Sequence, residues 1–248
     1  MQLFNLTLGT PEENLALDEA LLEQAESAGR PSEVLRLWES PTPVVIVGRS
    51  SRLADEVRLQ ACQELAIPVL RRVSGGAAIV AGPGCLMYAL VLSYELRPQL
   101  RAIDVAHAFV LETIVRALEP LCPGIARQGT SDLALGDRKF SGNSMRARRD
   151  HFLYHGTLLY DFALPLLAQC LSSPPRQPEY RAARDHSDFV TNILRRCEAL
   201  QQAMIDGWQA CDRRTDWPQD LVRQFVSERY SRAEWNDIGT RDSLPLER

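Results

Sequence analysis

The chain has 248 residues, 45% apolar and 24% charged, with a formal net charge of −4 at pH 7, the balance of an ordinary soluble globular protein with a full hydrophobic core in one domain. Six cysteines at 62, 85, 122, 170, 197 and 211 form no C-x-x-C pair and no metal-type spacing, which excludes a zinc ribbon or a disulfide scaffold and leaves small apolar core residues. No basic block offers an electrostatic footprint for nucleic acid, and no Lys/Arg-led apolar segment opens the sequence, so a cytoplasmic protein without a secretory signal is expected.

Thr10-Pro11-Glu12-Glu13 supplies an N-cap, a proline at the first helical position and a capping-box glutamate, with Gly29 as a stop, predicting a helix over 11–27. Residues 34–38 and 44–48 read as strands separated by Pro41-Thr42-Pro43, the second apolar throughout and therefore central in a buried sheet. A helix over 55–65 and a strand over 69–73 follow. The longest uncharged run, 73–94, holds Gly75, Gly76, Gly82, Pro83 and Gly84, which would break helical hydrogen bonding inside a bilayer. It is read as buried strands joined by a glycine-rich loop, with 86–93 as a strand, and no membrane span is expected. A well-covered helix over 105–118 precedes a hairpin turning at Gly136-Asp137-Arg138 and a strand over 152–160. The remainder reads as helical pieces at 164–171, 193–211 and 217–230, with an irregular wrap over 172–184. Interleaved hairpins favour an α/β fold of the α+β type, a mixed and largely antiparallel sheet with packed helices, as a single domain over 1–248. The motif-bearing core spans about 10–193, with closing helices over about 193–232.

Three clusters carry chemistry. Arg71-Arg72-Val73-Ser74-Gly75-Gly76-Ala77-Ala78 sets two cations and a hydroxyl beside a glycine pair, whose main chain can approach an anion closely. It lacks the lysine of a P-loop and the spacing of a dinucleotide turn. Lys139 is the only lysine among 28 Lys and Arg residues. Where arginine serves every other cationic position, a retained lysine marks a place that needs a compact ammonium instead of a planar fork. The third cluster is His155-Gly156-Thr157, with His151 on the same strand face; a metal pair there has no evident third ligand.

In this order and spacing the clusters resemble the lipoate–protein ligase and octanoyltransferase family, whose catalytic domain shares its fold with biotin ligases. Asn14 to Ala20 looks like the family's first helix, and Val47-Gly48-Arg49 like its strand-end G-R. Arg71-Arg72-x-Ser74-Gly75-Gly76 resembles the acyl-adenylate loop, Asp132-Leu133 the N-D-L, Asp137 to Asn143 the lysine motif, and His155-Gly156-Thr157-Leu158-Leu159 the H-G-T-L-L strand. The resemblance implies a lysine, Lys139, at the acyl carboxyl and α-phosphate. It further implies a nucleotide and acyl site from Arg72, Ser74, Gly75, Gly76, Ala77, Ala78, Ile79, Val80, Asp132, Gly142, His155, Gly156 and Thr157.

It also implies ATP and Mg²⁺ with lipoate, a lipoyl-AMP intermediate and no tightly bound metal. The acceptor would be a lysine of a lipoyl carrier domain, as in 2-oxoacid dehydrogenase acyltransferase subunits or the glycine-cleavage H protein, and a separate accessory subunit could be needed. Two departures bear on the acyl group: Ala77 stands for the family's third glycine, and Ala81-Gly82-Pro83-Gly84-Cys85 for its H-D-x-G-N. The alternatives are an ATP-independent octanoyl or lipoyl transferase using a cysteine thioester, for which Cys85 and Cys122 lie near the motif loops, and a non-catalytic carrier-domain-binding protein.

Overall fold

The structure, a computed structural model, describes residues 1–173 and 177–237. The first strand, β1 (Gln2–Asn5), leads to α1 (Pro11–Ser27), which begins as its capping box dictates: the Thr10 hydroxyl accepts from the Glu13 amide, and the Glu13 carboxylate accepts from the Thr10 amide. Next come β2 (Val34–Trp38) and β3 (Val44–Val47). In place of one helix over 55–65 there are two short ones, α2 (Leu53–Glu56) and α3 (Leu59–Glu64). They are split because Val57 is extended and bridges Leu171, while the Arg58 amide donates to the Cys170 carbonyl. Strands β4 (Val69–Arg71), β5 (Ile79–Ala81) and β6 (Cys85–Ser93) follow, then α4 (Ile103–Leu118).

The second half contains β7 (Ile125–Gln128), β8 (Asp132–Leu135), β9 (Arg138–Ala147) and β10 (His151–Leu159), then α5 (Pro165–Cys170) and α6 (His186–Phe189). Helix α7 (Cys197–Trp208) starts later than residue 193, because the Ile193 and Leu194 amides donate to the Leu159 and Tyr160 carbonyls and continue the strand's neighbourhood. After β11 (Asp212–Arg213), the helix expected over 217–230 is α8 (Gln219–Phe225) followed by a wider π turn (Val226–Tyr230), and the chain turns once more as α9 (Ala233–Asn236).

Among the described residues the expected mixed, largely antiparallel sheet is joined by a second, small one. The large sheet has the order β11-β1-β2-β6-β10-β9-β8-β7, parallel only between β11, β1 and β2. The small sheet has the order β4-β3-β5, so the all-apolar β3 is central there and not in the large sheet. Every residue of β6 and β10 is buried, because separate apolar clusters cover the two faces: α1, the small sheet and α8 on one, α4 and α7 on the other.

Within the first cluster lies a charged knot. Arg36, fully buried, donates to Asp18 Oδ1 at 2.5 Å, to Asn14 Oδ1 at 2.6 Å, and to the carbonyls of Asn14 and Leu6, tying α1 to β2. Removing one member of a buried pair leaves the other charge uncompensated. Arg36→Met is therefore expected to lower unfolding free energy by about 3–5 kcal/mol, measured by chemical denaturation.

Candidate functional site

The β8–β9 hairpin turns at Gly136-Asp137, pairing Leu135 with Arg138 and Ala134 with Lys139, but Leu133 with Ser141. One extra residue, Phe140, is thereby accommodated in β9, and its ring is wholly buried. A bulge of this kind re-aims the neighbouring side chain. Lys139 Nζ reaches Asp132 Oδ1 at 2.7 Å, and the Tyr180 hydroxyl donates to Asp132 Oδ2 at 2.8 Å. The lysine stem lies across Gly142, where a Cβ would stand 2.9 Å from Nζ. Gly156 is equally constrained: a Cβ there would fall 1.7 Å from Asn143 Oδ1, the atom that also accepts from the Tyr88 hydroxyl.

Two cavities meet at this lysine. The larger, about 430 Å³, has Leu15, Ile46 and Met87 on its apolar side and Arg72, Asp132 and His155 on its polar side. The smaller, about 110 Å³, runs among Val80, Phe140, Thr157, Leu159 and Leu167. Both are bordered by Ala77 to Ile79, Lys139, Gly142, Arg181 and Phe189.

Lys139, Arg72, Gly76 to Val80, Asp132, Gly142 and His155 to Thr157 all border one or both of these cavities. Ser74 and Gly75 lie behind the cavity walls instead of lining them. Ser74 Oγ is 2.5 Å from His155 Nε2, His155 Nδ1 is 3.6 Å from Asp18 Oδ2, and Arg72 Nε donates to Ser74 Oγ. These contacts fasten the glycine loop to α1 and β10. The Arg72 guanidinium is spent on the same loop and on β3, donating to the carbonyls of Gly75, Ala77 and Ile46. Arg71 is not at the site. It is buried and donates to the carbonyls of Gly48, Ser51, Trp235 and Asn236, while the Trp235 indole donates to the Arg71 carbonyl.

Sequence reasoning missed Glu56, whose carboxylate accepts from the Ala78 amide at 2.5 Å, and it left Tyr180, Arg181, His186 and Phe189 inside or beside an irregular wrap. The only signal for them was the density of arginine and aromatic residues between 179 and 189. Among the described residues no group of His, Cys, Asp and Glu is arranged to hold a metal; His151 faces Glu26 at the far end of β10. No described helix is long and apolar enough to cross a membrane. Of the cysteines, none borders either cavity, and burial pushes the thiols of Cys85 and Cys122 up.

Residues 10–207 match the lipoyl protein ligase A/B catalytic domain family. The chain belongs to this family. It is 26% identical over 260 residues to octanoyltransferase LipM of Carboxydothermus hydrogenoformans, covering 90% of this chain and 93% of that one. Its fold is that of a chain from the structural analysis of a bi-partite lipoate protein ligase and its E2 lipoyl domain from Thermoplasma acidophilum (TM-score 0.81, 23% identity, 98% of each chain). It is likewise that of a lipoate-protein ligase A bound with ATP (TM-score 0.77, 24% identity, 96% of this chain and 98% of that one). The chain spans about half the length of several curated relatives it matches, 46 to 55% of each.

Within this catalytic domain, His186 borders the smaller cavity, and burial, then the Arg181 charge, lower its pKa to about 4. The unfolded chain, with histidine near 6.5, binds the proton first, so stability is complete above that value and falls as the pH drops toward 4. His186→Gln is expected to flatten that part of the stability curve, measured by thermal unfolding at pH 4–7.

Proposed function

We propose that the chain acts as one catalytic domain that joins lipoate to a lysine of a lipoyl carrier domain through lipoyl-AMP. The observation that carries this reading is the placement of the chain's only lysine at the wall shared by two cavities. An acyl-adenylate has two dissimilar limbs, an acyl tail and a nucleoside, meeting at a mixed anhydride, and Lys139 stands where such a junction would lie. Attack of the acceptor amine on the acyl carbonyl forms an amide bond, breaks the carbonyl–phosphate bond and releases AMP. Negative charge grows on the carbonyl oxygen and then on the phosphate, and a fixed ammonium stabilises both. Asp132, held by Tyr180, orients that ammonium, and the main chain from Gly76 to Val80 forms the wall along the ligand, with its Ala78 amide held by Glu56.

ATP use is supported by the ATP-bound relative of the same fold, and a lipoyl domain as acceptor by the Thermoplasma system. The name of a related Thermoplasma protein, lipoate-protein ligase A subunit 1, supports a need for a separate accessory subunit. The carboxylates here form no preformed magnesium cage, since Asp132 is engaged by Lys139 and Tyr180; Mg²⁺ would enter on the phosphates of ATP, as it commonly does. A cysteine-thioester route needs a thiolate beside the acyl carbonyl, and Cys85 and Cys122 are buried away from both cavities.

The test is mass spectrometry of an apo lipoyl domain incubated with the protein, with and without added accessory subunit. A lipoyl mass increment is expected with lipoate plus ATP, and Cys85→Ser is expected to retain it. Modification from octanoyl-carrier protein without ATP, lost in Cys85→Ser or Cys122→Ser, would establish the thioester route instead.

A further inference from the structure

Among the described residues Arg181 is the one cation at the cavities that the sequence motifs do not point to, and its setting is unusual. It ends a short 3-10 turn (Glu179–Arg181) and is followed by Ala182 and Ala183, both left-handed at φ of +50° and +58°. Two successive alanines in that region carry a backbone cost, and such strain persists only where surrounding structure enforces it. What the turn achieves is to bring the Arg181 side chain inward until the residue is 4% exposed, with its guanidinium stacked 4.9 Å from the centre of the Phe189 ring.

The charge so buried is left under-satisfied. The hydrogen bond its side chain makes is from Nε to the Arg184 carbonyl at 3.0 Å, and Nη2 is a buried atom with no hydrogen-bond partner. Compensation comes from the carboxylates of Asp185 and Asp132, opposed by the Arg184 charge, and from the face of the Phe189 ring. A buried guanidinium with an idle donor costs free energy, and the same side chain borders both cavities beside Lys139. Arg72, by contrast, has its donors committed to its own loop and to β3.

We propose that Arg181 is a phosphate-binding residue of this site, closing its idle donors on the phosphate of the bound nucleotide opposite Lys139. The assignment rests on the ligase reading for the identity of the nucleotide, but not for the existence of the anion site. Arginine suits the role because its planar fork matches phosphate oxygens and its face packs on an aromatic ring, leaving the edge for the ligand. Strain in the turn and the desolvated charge are then both offset when the anion arrives.

The experiment compares wild type, Arg181→Gln and Arg181→Lys in the full chain by calorimetric titration with a non-hydrolysable ATP analogue and, separately, with lipoate. Thermal unfolding reports that each variant is folded. Loss of a charge-assisted hydrogen bond predicts a Kd for the ATP analogue raised on the order of tenfold to a hundredfold in Arg181→Gln, a smaller rise in Arg181→Lys, and lipoate affinity within about twofold of wild type. Unchanged ATP-analogue affinity in both variants overturns the assignment, as does weakened lipoate binding with the nucleotide unaffected, which would place the acyl carboxylate there. If Arg181→Gln does not fold, Arg181→Lys decides by the same comparison. Wild type that binds the nucleotide in an Arg181-dependent way but makes no lipoyl-AMP would sink the ligase reading and leave the anion site standing; wild type that binds no nucleotide but binds inorganic pyrophosphate in an Arg181-dependent way does the same, and wild type that binds neither overturns the anion site.

Discussion

The ion pair between Lys139 and Asp132 is the contact to which the rest of the site refers. An ammonium 2.7 Å from a carboxylate is held at one point, and the irregularities of the chain nearest to it serve that placement. The bulge at Phe140 turns Lys139 toward the cavities, Gly142 clears the space its stem crosses, and Tyr180 fixes the second oxygen of Asp132. The Lys139 main chain is anchored as well, its carbonyl accepting from the Thr191 amide. Regular strands β6 and β10, buried on both faces, give the rigid floor against which these adjustments are made.

A second constraint is that cations must be bound to something when buried. Arg36, Arg71 and Arg72 solve it with backbone carbonyls and, for Arg36, the Asp18 carboxylate. Arg71 extends this to the chain's far end, since the segment around Trp235 and Asn236 closes directly on the strand that leads into the glycine loop. The site is consequently supported from three directions: α1 through Asp18 and His155, the small sheet through Arg71, and the 179–190 segment through Tyr180 and Phe189. That last segment also packs on itself, with the Tyr180 and Phe189 rings 5.1 Å apart and Arg184 paired to Asp137.

Much of this was legible in the sequence. The capping box set the start of α1, alternation and apolar runs located β2, β3, β6 and β10, and the Gly136-Asp137 turn located the hairpin. The lone lysine, Asp132 and the His155-Gly156-Thr157 strand meet at the cavities, a convergence that only the resemblance to the ligase family implied. What was not legible depended on long-range pairing. Val57 leaves its helix because Leu171 offers a partner, the split into two sheets follows from which edge β3 finds, and the short β1 and β7 are strands only by virtue of their neighbours. Arg71 and Arg72 are adjacent and chemically identical, so only the fold separates a loop organiser from a link to the C-terminal segment. Glu56 and the 179–189 segment carry no local pattern that announces a cavity wall.

In the proposed reaction a compact ammonium at residue 139, and not merely a positive charge, drives acyl transfer. The most direct measurement is the single-turnover rate from preformed lipoyl-AMP to an apo lipoyl domain, with wild type and Lys139→Arg brought to the same folded fraction. A loss on the order of 10²–10³ in rate is the predicted result, because a broad planar fork cannot occupy the space over Gly142 beside Asp132. A Lys139→Arg protein that transfers the acyl group at close to the wild-type rate would contradict it.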